Sequence, residues 1–231
     1  TAIMLLPGNS ATYVAARFRL VLGLAISFVM FPVLAAKLPV PPNSLSEMAL
    51  ILAGEVVVGG FFGFLLRILV SALQTVGTIA ALASSMANAL IQDPIADQQS
   101  STISGFLLTI GVVLIFVSDL HHLMLIALLE TYVLFEPGQL LPFGDFADAV
   151  SRQVADSFAL GLQMSAPFVV IGLTYYIGLG LLGRLMPQLP VFFFGLPLQI
   201  TVQIFAFTLT ISGIMLAFIQ NFDAKVNRFI P

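Results

Sequence analysis

The sequence predicts an all-α integral membrane protein built from several kinked helical hairpins. Hydrophobic residues make up 59% of its 231 positions and charged residues only 8%. Mean hydropathy is +1.09, and several windows approach the roughly 20 apolar residues that a helix needs to cross a bilayer. Prolines inside those windows predict kinked rather than straight crossings. The net charge of −3 offers no basic surface for nucleic acid. With no cysteine, the chain has neither a disulfide framework nor a thiolate metal site. No basic stretch followed by a short apolar core and a small-residue cleavage site marks a signal peptide.

The first apolar block runs from Leu20 to Ala36, after Arg17 and Arg19, and Pro39, Pro41 and Pro42 end it because proline cannot continue the backbone ladder. Asn43, Ser44 and Ser46 are suited to cap the next helix, with Glu47 in its first turn. From Met48 to Ile91 the chain stays largely apolar, too long for one crossing, which predicts two packed helices with a bend near Arg67. A polar stretch from Gln92 to Ser101 follows. Ile103 to Val117 is apolar, Asp119, His121 and His122 interrupt, and Leu123 to Phe135 resumes. Glu136 to Asp156 reads as a solvated loop carrying Asp145, Asp148, Arg152 and Asp156. Phe158 to Gly183 forms the next span, broken by Pro167, and Leu189 to Ile219 the last, broken by Pro197; a short amphipathic tail follows from Gln220.

These blocks fit a bilayer poorly. Glu55, Gln74, Asn88, Gln163, Gln199 and Gln203 punctuate apolar faces, and unpaired polar groups in lipid are costly, so those faces should meet protein or water. The spacing Gly59-x-x-x-Gly63 permits close helix approach, within the chain or between subunits. Gly178, Gly180 and Gly183 allow the same two readings. Glu55, deep in an apolar run, is either a buried interhelical partner, with Arg67 as its counter-charge, or a protonatable sensor. The pairing accounts for it better, because no relay of successive acids accompanies it. Asp119, His121, His122 and Glu130 are metal-ligand types. However, adjacent histidines point about 100° apart on a helix and no His-Glu-x-x-His spacing exists, so a helix end or interfacial turn is the better account. No nucleophile elbow supports a serine enzyme. A secondary transporter would use helices broken at Pro167 and Pro197, yet the sequence has no matching halves and few ion-coordinating acids.

Arg184-Leu-Met-Pro-Gln-Leu-Pro190, followed by Phe192-Phe-Phe-Gly-Leu-Pro-Leu198, resembles the signature of the FliR family, the R-type subunit of the flagellar and type III secretion export gate. Ile91-Gln-Asp-Pro94 is similar to that family's Asp-Pro turn, and Glu55 through Gly63 with Gly77 to its Gly-rich second block. Block order agrees from about residue 14 to the end, and the family's first helix would precede these blocks. The resemblance implies a non-enzymatic, cofactor-free subunit, one helical unit over residues 1–231, packed with P-type, Q-type and B-type subunits into a helical hetero-oligomer. Unfolded flagellar substrate proteins would pass through its centre, in the bacterial inner membrane at the flagellar basal body. A virulence secretion system is the alternative setting.

The resemblance further places the pore plug on Ser84 to Ser100. Ser84, Ser85, Asn88, Gln92, Asp93 and Asp97 make that loop wettable, Met86, Leu90 and Ile91 supply deformable apolar bulk, and Pro94 turns the chain. On the residues alone an ordinary exposed loop with an Asp93-Pro94 turn is the plainer reading, and the resemblance tips the balance to the plug. Arg184 and Gln188, in a connection broken by Pro187 and Pro190 and followed by Gly195 and Pro197, are expected to lock the last two helices, and with them a neighbouring subunit, at one angle.

Overall fold

A computed structural model describes residues 1–9, 15–35, 38, 44–85, 101–139, 141–186 and 191–230. The described residues are helical, without strands. The order is α1 (Ala2–Leu5), α2 (Ala16–Leu34), α3 (Leu45–Ala83), α4 (Thr102–Val117), α5 (Leu120–Leu134), α6 (Phe143–Leu185) and α7 (Val191–Val226), closed by a 3₁₀ turn at Asn227–Phe229. Among the described residues, α2, α3, α6 and α7 are each long and apolar enough to cross a membrane, and α4 with α5 forms a fifth candidate bent by 76°. The chain is an all-α, multi-span membrane protein.

Local chemistry explains several boundaries. Ser44 Oγ accepts the amide of Glu47 at 3.2 Å, so α3 begins where the serine cap is expected. The break between α4 and α5 falls at Asp119, whose φ of +57° is left-handed backbone, open to aspartate more than to bulky residues. Two expectations are corrected. α3 does not turn back near Arg67 but continues unbroken for 39 residues: no proline interrupts it, and a glycine inside a helix costs only about 1 kcal/mol, which packing can offset. Nor is the stretch before Asp156 a loop, because α6 starts at Phe143 with Asp145 in its first turn. Its charged residues belong to the outer face of a helix whose inner stripe is Phe146, Ser157, Gly161, Met164 and Phe168, spaced at helical period.

The chain divides into two units: residues 1–70, 112–155 and 221–231, and residues 71–111 and 156–220. In the first, Phe61 stacks on Phe146 with centroids 4.2 Å apart, Phe135 meets Phe146 edge-on at 5.1 Å, and Phe62 meets Phe229 edge-on at 5.4 Å. Such pairs add about 0.5–1.5 kcal/mol each beyond area burial. Gly59 and Gly63 of α3 admit α1: a Cβ on Gly63 would lie 2.6 Å from Leu5 Cβ, and one on Gly59 3.1 Å from the Ala2 amide nitrogen. In the second unit, Leu73, Leu107, Phe168 and Phe218 are fully buried. Long apolar side chains remain exposed along α2, α6 and α7, among them Phe28 at 80%, Ile177 at 65% and Phe205 at 65%.

Candidate functional site

Several polar side chains of the second unit gather at Ser84–Ser85 and at Ser101–Ser104, the described residues on either side of 86–100. Helix α3 stops at Ala83, and its last carbonyls need partners that a helix cannot supply itself. Ser84 N–H donates to Ala80 O at 3.0 Å, and Ser85 N–H to Leu82 O at 3.2 Å. The Ser84 hydroxyl donates to Ala81 O at 3.0 Å. The remaining carbonyl, Ala83 O, accepts from the side chains of α7: Gln199 Nε2 at 2.7 Å and Gln203 Nε2 at 3.4 Å. The glutamines stand one turn apart on α7, which is why both reach the same oxygen.

This cap is extended outward. Ser85 has φ +56°, the left-handed turn that commonly ends a helix. Its hydroxyl donates to Gln199 Oε1 at 3.2 Å. That single hydrogen being used, Tyr176 Oη is the donor in the 2.9 Å contact between Tyr176 and Ser85. Gln203 Nε2 also donates to Phe168 O at 3.1 Å, one residue beyond Pro167 of α6. Gln199 and Gln203 are buried at 0% and 3% exposure. The polar residues that looked misplaced in the apolar sequence of α7 are therefore the partners of the α3 terminus.

The other end of the stretch is fastened as well. Ser101 caps α4, its Oγ accepting Ser104 N–H at 3.1 Å and donating to Gly77 O at 3.1 Å. Ser104 Oγ reaches Gln74 O at 3.2 Å. A Cβ on Gly77 would fall onto the backbone of Ser104, so the close approach of α3 and α4 requires glycine here. Below it, a Cβ on Gly161 of α6 would lie 2.8 Å from Thr75 Cβ and 3.1 Å from Ala72 O.

The other expected residues are placed as follows. Ser84 and Ser85 belong to the network just described, whereas Met86, Asn88, Leu90, Ile91, Gln92, Asp93, Pro94 and Asp97 lie outside the described residues, as do Pro187, Gln188 and Pro190. Arg184 is exposed in the last turn of α6. Gly195 is approached by Leu179, whose Cδ2 would be 2.8 Å from a Cβ there, and its carbonyl accepts the Tyr175 hydroxyl. Pro197 lies within α7 and is exposed. No atom of the described residues would meet a Cβ on Gly178, Gly180 or Gly183 within 4 Å.

In the first unit, Glu55 is half-buried and its Oε2 accepts the Tyr132 hydroxyl at 2.8 Å. Arg67 is exposed, so the partner shown for this carboxylate is a phenol of α5, a choice that no local pattern in the sequence signals. Both residues are in the helix pair α3 and α5, and Glu55 and Tyr132 line a cavity of about 570 Å³ with Phe31, Leu34, Ile51 and Phe143. At the α4–α5 junction the expectation of divergent histidines fails: the His121 and His122 rings are 4.1 Å apart, and His121 also stacks on Phe116 at 5.1 Å. His122 Nδ1 lies 3.6 Å from Asp119 Oδ1, both side chains being largely exposed. Ligand atoms of Asp119, His121 and His122 fall within 4.8 Å of one another, but all three come from one turn and two are solvated, the pattern of a polar helix junction.

Comparison with known proteins fits this architecture. The family described as bacterial export proteins, family 1, matches residues 1–224. The chain is 29% identical over 227 residues to "Flagellar biosynthetic protein FliR" of Caulobacter vibrioides, covering 98% of this chain and 90% of the relative. The protein of the same name in Escherichia coli is 32% identical over 200 residues, 86% of this chain and 75% of its own length. "Yop proteins translocation protein T" of Yersinia pestis is 28% identical over 184 residues, covering 76% and 67% respectively.

Proposed function

Because the chain belongs to the bacterial export proteins, family 1, we propose that it is the R-type core membrane subunit of a flagellar protein-export gate, helping to form and close the channel that unfolded substrates pass. The observation that carries this reading is the correspondence with the flagellar relative of Caulobacter vibrioides along 98% of this chain. The Yersinia translocation protein corresponds over 76%, which favours the flagellar over the virulence setting. The role is structural rather than enzymatic. P-type, Q-type and B-type subunits are its partners, and the inner membrane at the basal body is its place.

The exposed apolar faces of α2, α6 and α7 support assembly with such partners, since contiguous apolar surface with open glycines admits neighbouring helices. The stretch from Ser84 to Ser100 is the plug. Ser85 and Ser101, the described residues on either side of 86–100, are held by Gln199 and by the Gly77 carbonyl, which supports a loop hung between two fixed points. Arg184 and Gln188 hold the connection between α6 and α7 against a neighbouring subunit.

Extraction of the tagged chain in mild detergent is expected to bring down several other small membrane proteins, and the chain reconstituted alone should carry no solute. A self-sufficient monomer, or solute uptake by it, would sink the reading. Deleting residues 86–100 should leave the assembly intact but leaky to small ions; a tight membrane around an assembled deletion variant would rule out the plug. Arg184→Leu should lower the yield of the co-purified assembly severalfold while the level of the chain itself is unchanged, and an unaltered yield would remove Arg184 from the subunit interface.

A further inference from the structure

The cavity of the first unit that Glu55 and Tyr132 line measures about 570 Å³. That is the size of a small-molecule site, and such sites are mostly apolar with a few convergent polar groups. Met30, Phe31 and Leu34 of α2, Leu50 and Ile51 of α3 and Leu128 of α5 belong to its oily wall. The hydroxyls on it have used their hydrogens inside the fold: Ser27 Oγ donates to Gly23 O at 2.7 Å, Thr131 Oγ1 to Leu128 O at 2.7 Å and Tyr132 Oη to Glu55 Oε2 at 2.8 Å. A hydroxyl that has given its one hydrogen has only lone pairs left to offer. Two carboxylates join them, the half-buried Glu55 and the exposed Glu136. Gln139, the side-chain amide among the lining residues, is turned onto Glu136 Oε2 at 2.5 Å. Among the described residues no Lys, Arg or His side chain lines the cavity. Its wall is therefore oily, rich in acceptors and negatively charged.

We propose that this cavity binds a membrane lipid with a primary ammonium in its head, an ethanolamine phospholipid, whose ammonium donates to the Glu55 carboxylate while one acyl chain lies against α2, α3 and α5. The choice of head follows from the wall. A primary ammonium has three hydrogens to give and a charge opposite to that of both carboxylates. A choline head carries the charge but no hydrogen on its nitrogen. An anionic head would meet two carboxylates and no described cation, whereas pockets for anionic lipid heads are basic. The cavity is open on one side, where the lipid phosphate stays hydrated. A Lys or Arg from a neighbouring protein would also satisfy Glu55, but it would leave the oily wall around Met30 and Leu50 uncovered. The inference rests on the chain being a membrane protein and not on the export reading.

The test uses the full chain, purified with its partners in a neutral detergent and stripped of lipid, and three probes with identical acyl chains: ethanolamine-, choline- and glycerol-headed phospholipid. A ligand that binds the folded state alone raises its stability, so the ethanolamine lipid should raise the temperature at which the chain is lost from its gel-filtration peak. The other two should need about tenfold more lipid for the same shift, the factor for about one charge-assisted hydrogen bond. Glu55→Gln keeps the volume and an acceptor for Tyr132, and in it the preference for the ethanolamine head should disappear. Lipid retained by the unstripped wild-type complex should also be enriched in ethanolamine heads over the membrane it came from. Equal shifts with the three heads, a preference that survives in Glu55→Gln, or no enrichment in the retained lipid overturns the proposal. A structure of the complex with a neighbouring subunit's Lys or Arg seated on Glu55 overturns it as well.

Discussion

Gly77→Ala should be the most damaging single methyl group that can be added to this chain. Its Cβ would overlap the Cα and nitrogen of Ser104 and come within 2.6 Å of Ser104 Oγ. The obstruction is largely backbone, so no side-chain rotation relieves it and α4 must move away from α3. That movement also lengthens the bonds from Ser101 Oγ to Gly77 O and from Ser104 Oγ to Gln74 O. Overpacking of this kind costs about 3 kcal/mol, near the top of its usual range. Membrane levels of the tagged chain are expected to fall at least severalfold, together with its resistance to thermal loss from a gel-filtration peak. Gly105→Ala is the control, because a Cβ there meets no described atom within 4 Å. Equal behaviour of the two variants would contradict the packing.

Gln199→Leu should be nearly as severe, for a different reason. Gln199 is fully buried, and its amide both donates to Ala83 O and accepts the Ser85 hydroxyl. Leucine leaves the helix-end carbonyl with only the 3.4 Å bond from Gln203 and returns the Ser85 hydroxyl to Tyr176. Partly satisfied buried networks are worse than apolar ones, and the expected cost is about 2–3 kcal/mol. Thermal stability should drop, and exchange should rise at the last turn of α3 while that of α5 stays as it was. Thr201→Val on the same helix should be nearly silent, since the exposed Thr201 hydroxyl bonds, among the described residues, the carbonyl of Pro197 four residues before it. A uniform rise along all helices would show that Gln199 supports the whole fold rather than this joint.

The spans were legible from the sequence because solvent composition alone decides them: apolar runs, the Ser44 cap and the Asp119 interruption all come through locally. The continuity of α3 was not. A 44-residue apolar run exceeds a bilayer, and that argument favours a hairpin only if lipid surrounds it. The start of α6 was hidden by its charges, although Phe146, Ser157, Gly161 and Met164 already carry the helical period. The roles of Gln199, Gln203 and Tyr132 were out of reach for another reason. Their partners lie 114, 120 and 77 residues away in the chain, and no local pattern encodes such pairings. A usable clue was the i, i+4 spacing of the two glutamines, which puts both amides on one face of an otherwise oily helix.

The uninterrupted run of α3 has a consequence for immersion depth. Thirty-nine residues make a rod of about 58 Å, against an oily slab about 30 Å thick. Even leaning by about 40°, the steepest inclination usual for such helices, the rod would still rise through about 45 Å. About a third of its length therefore exceeds the acyl layer. Thickening the bilayer by a few ångströms should matter little to a rod that overshoots it so far.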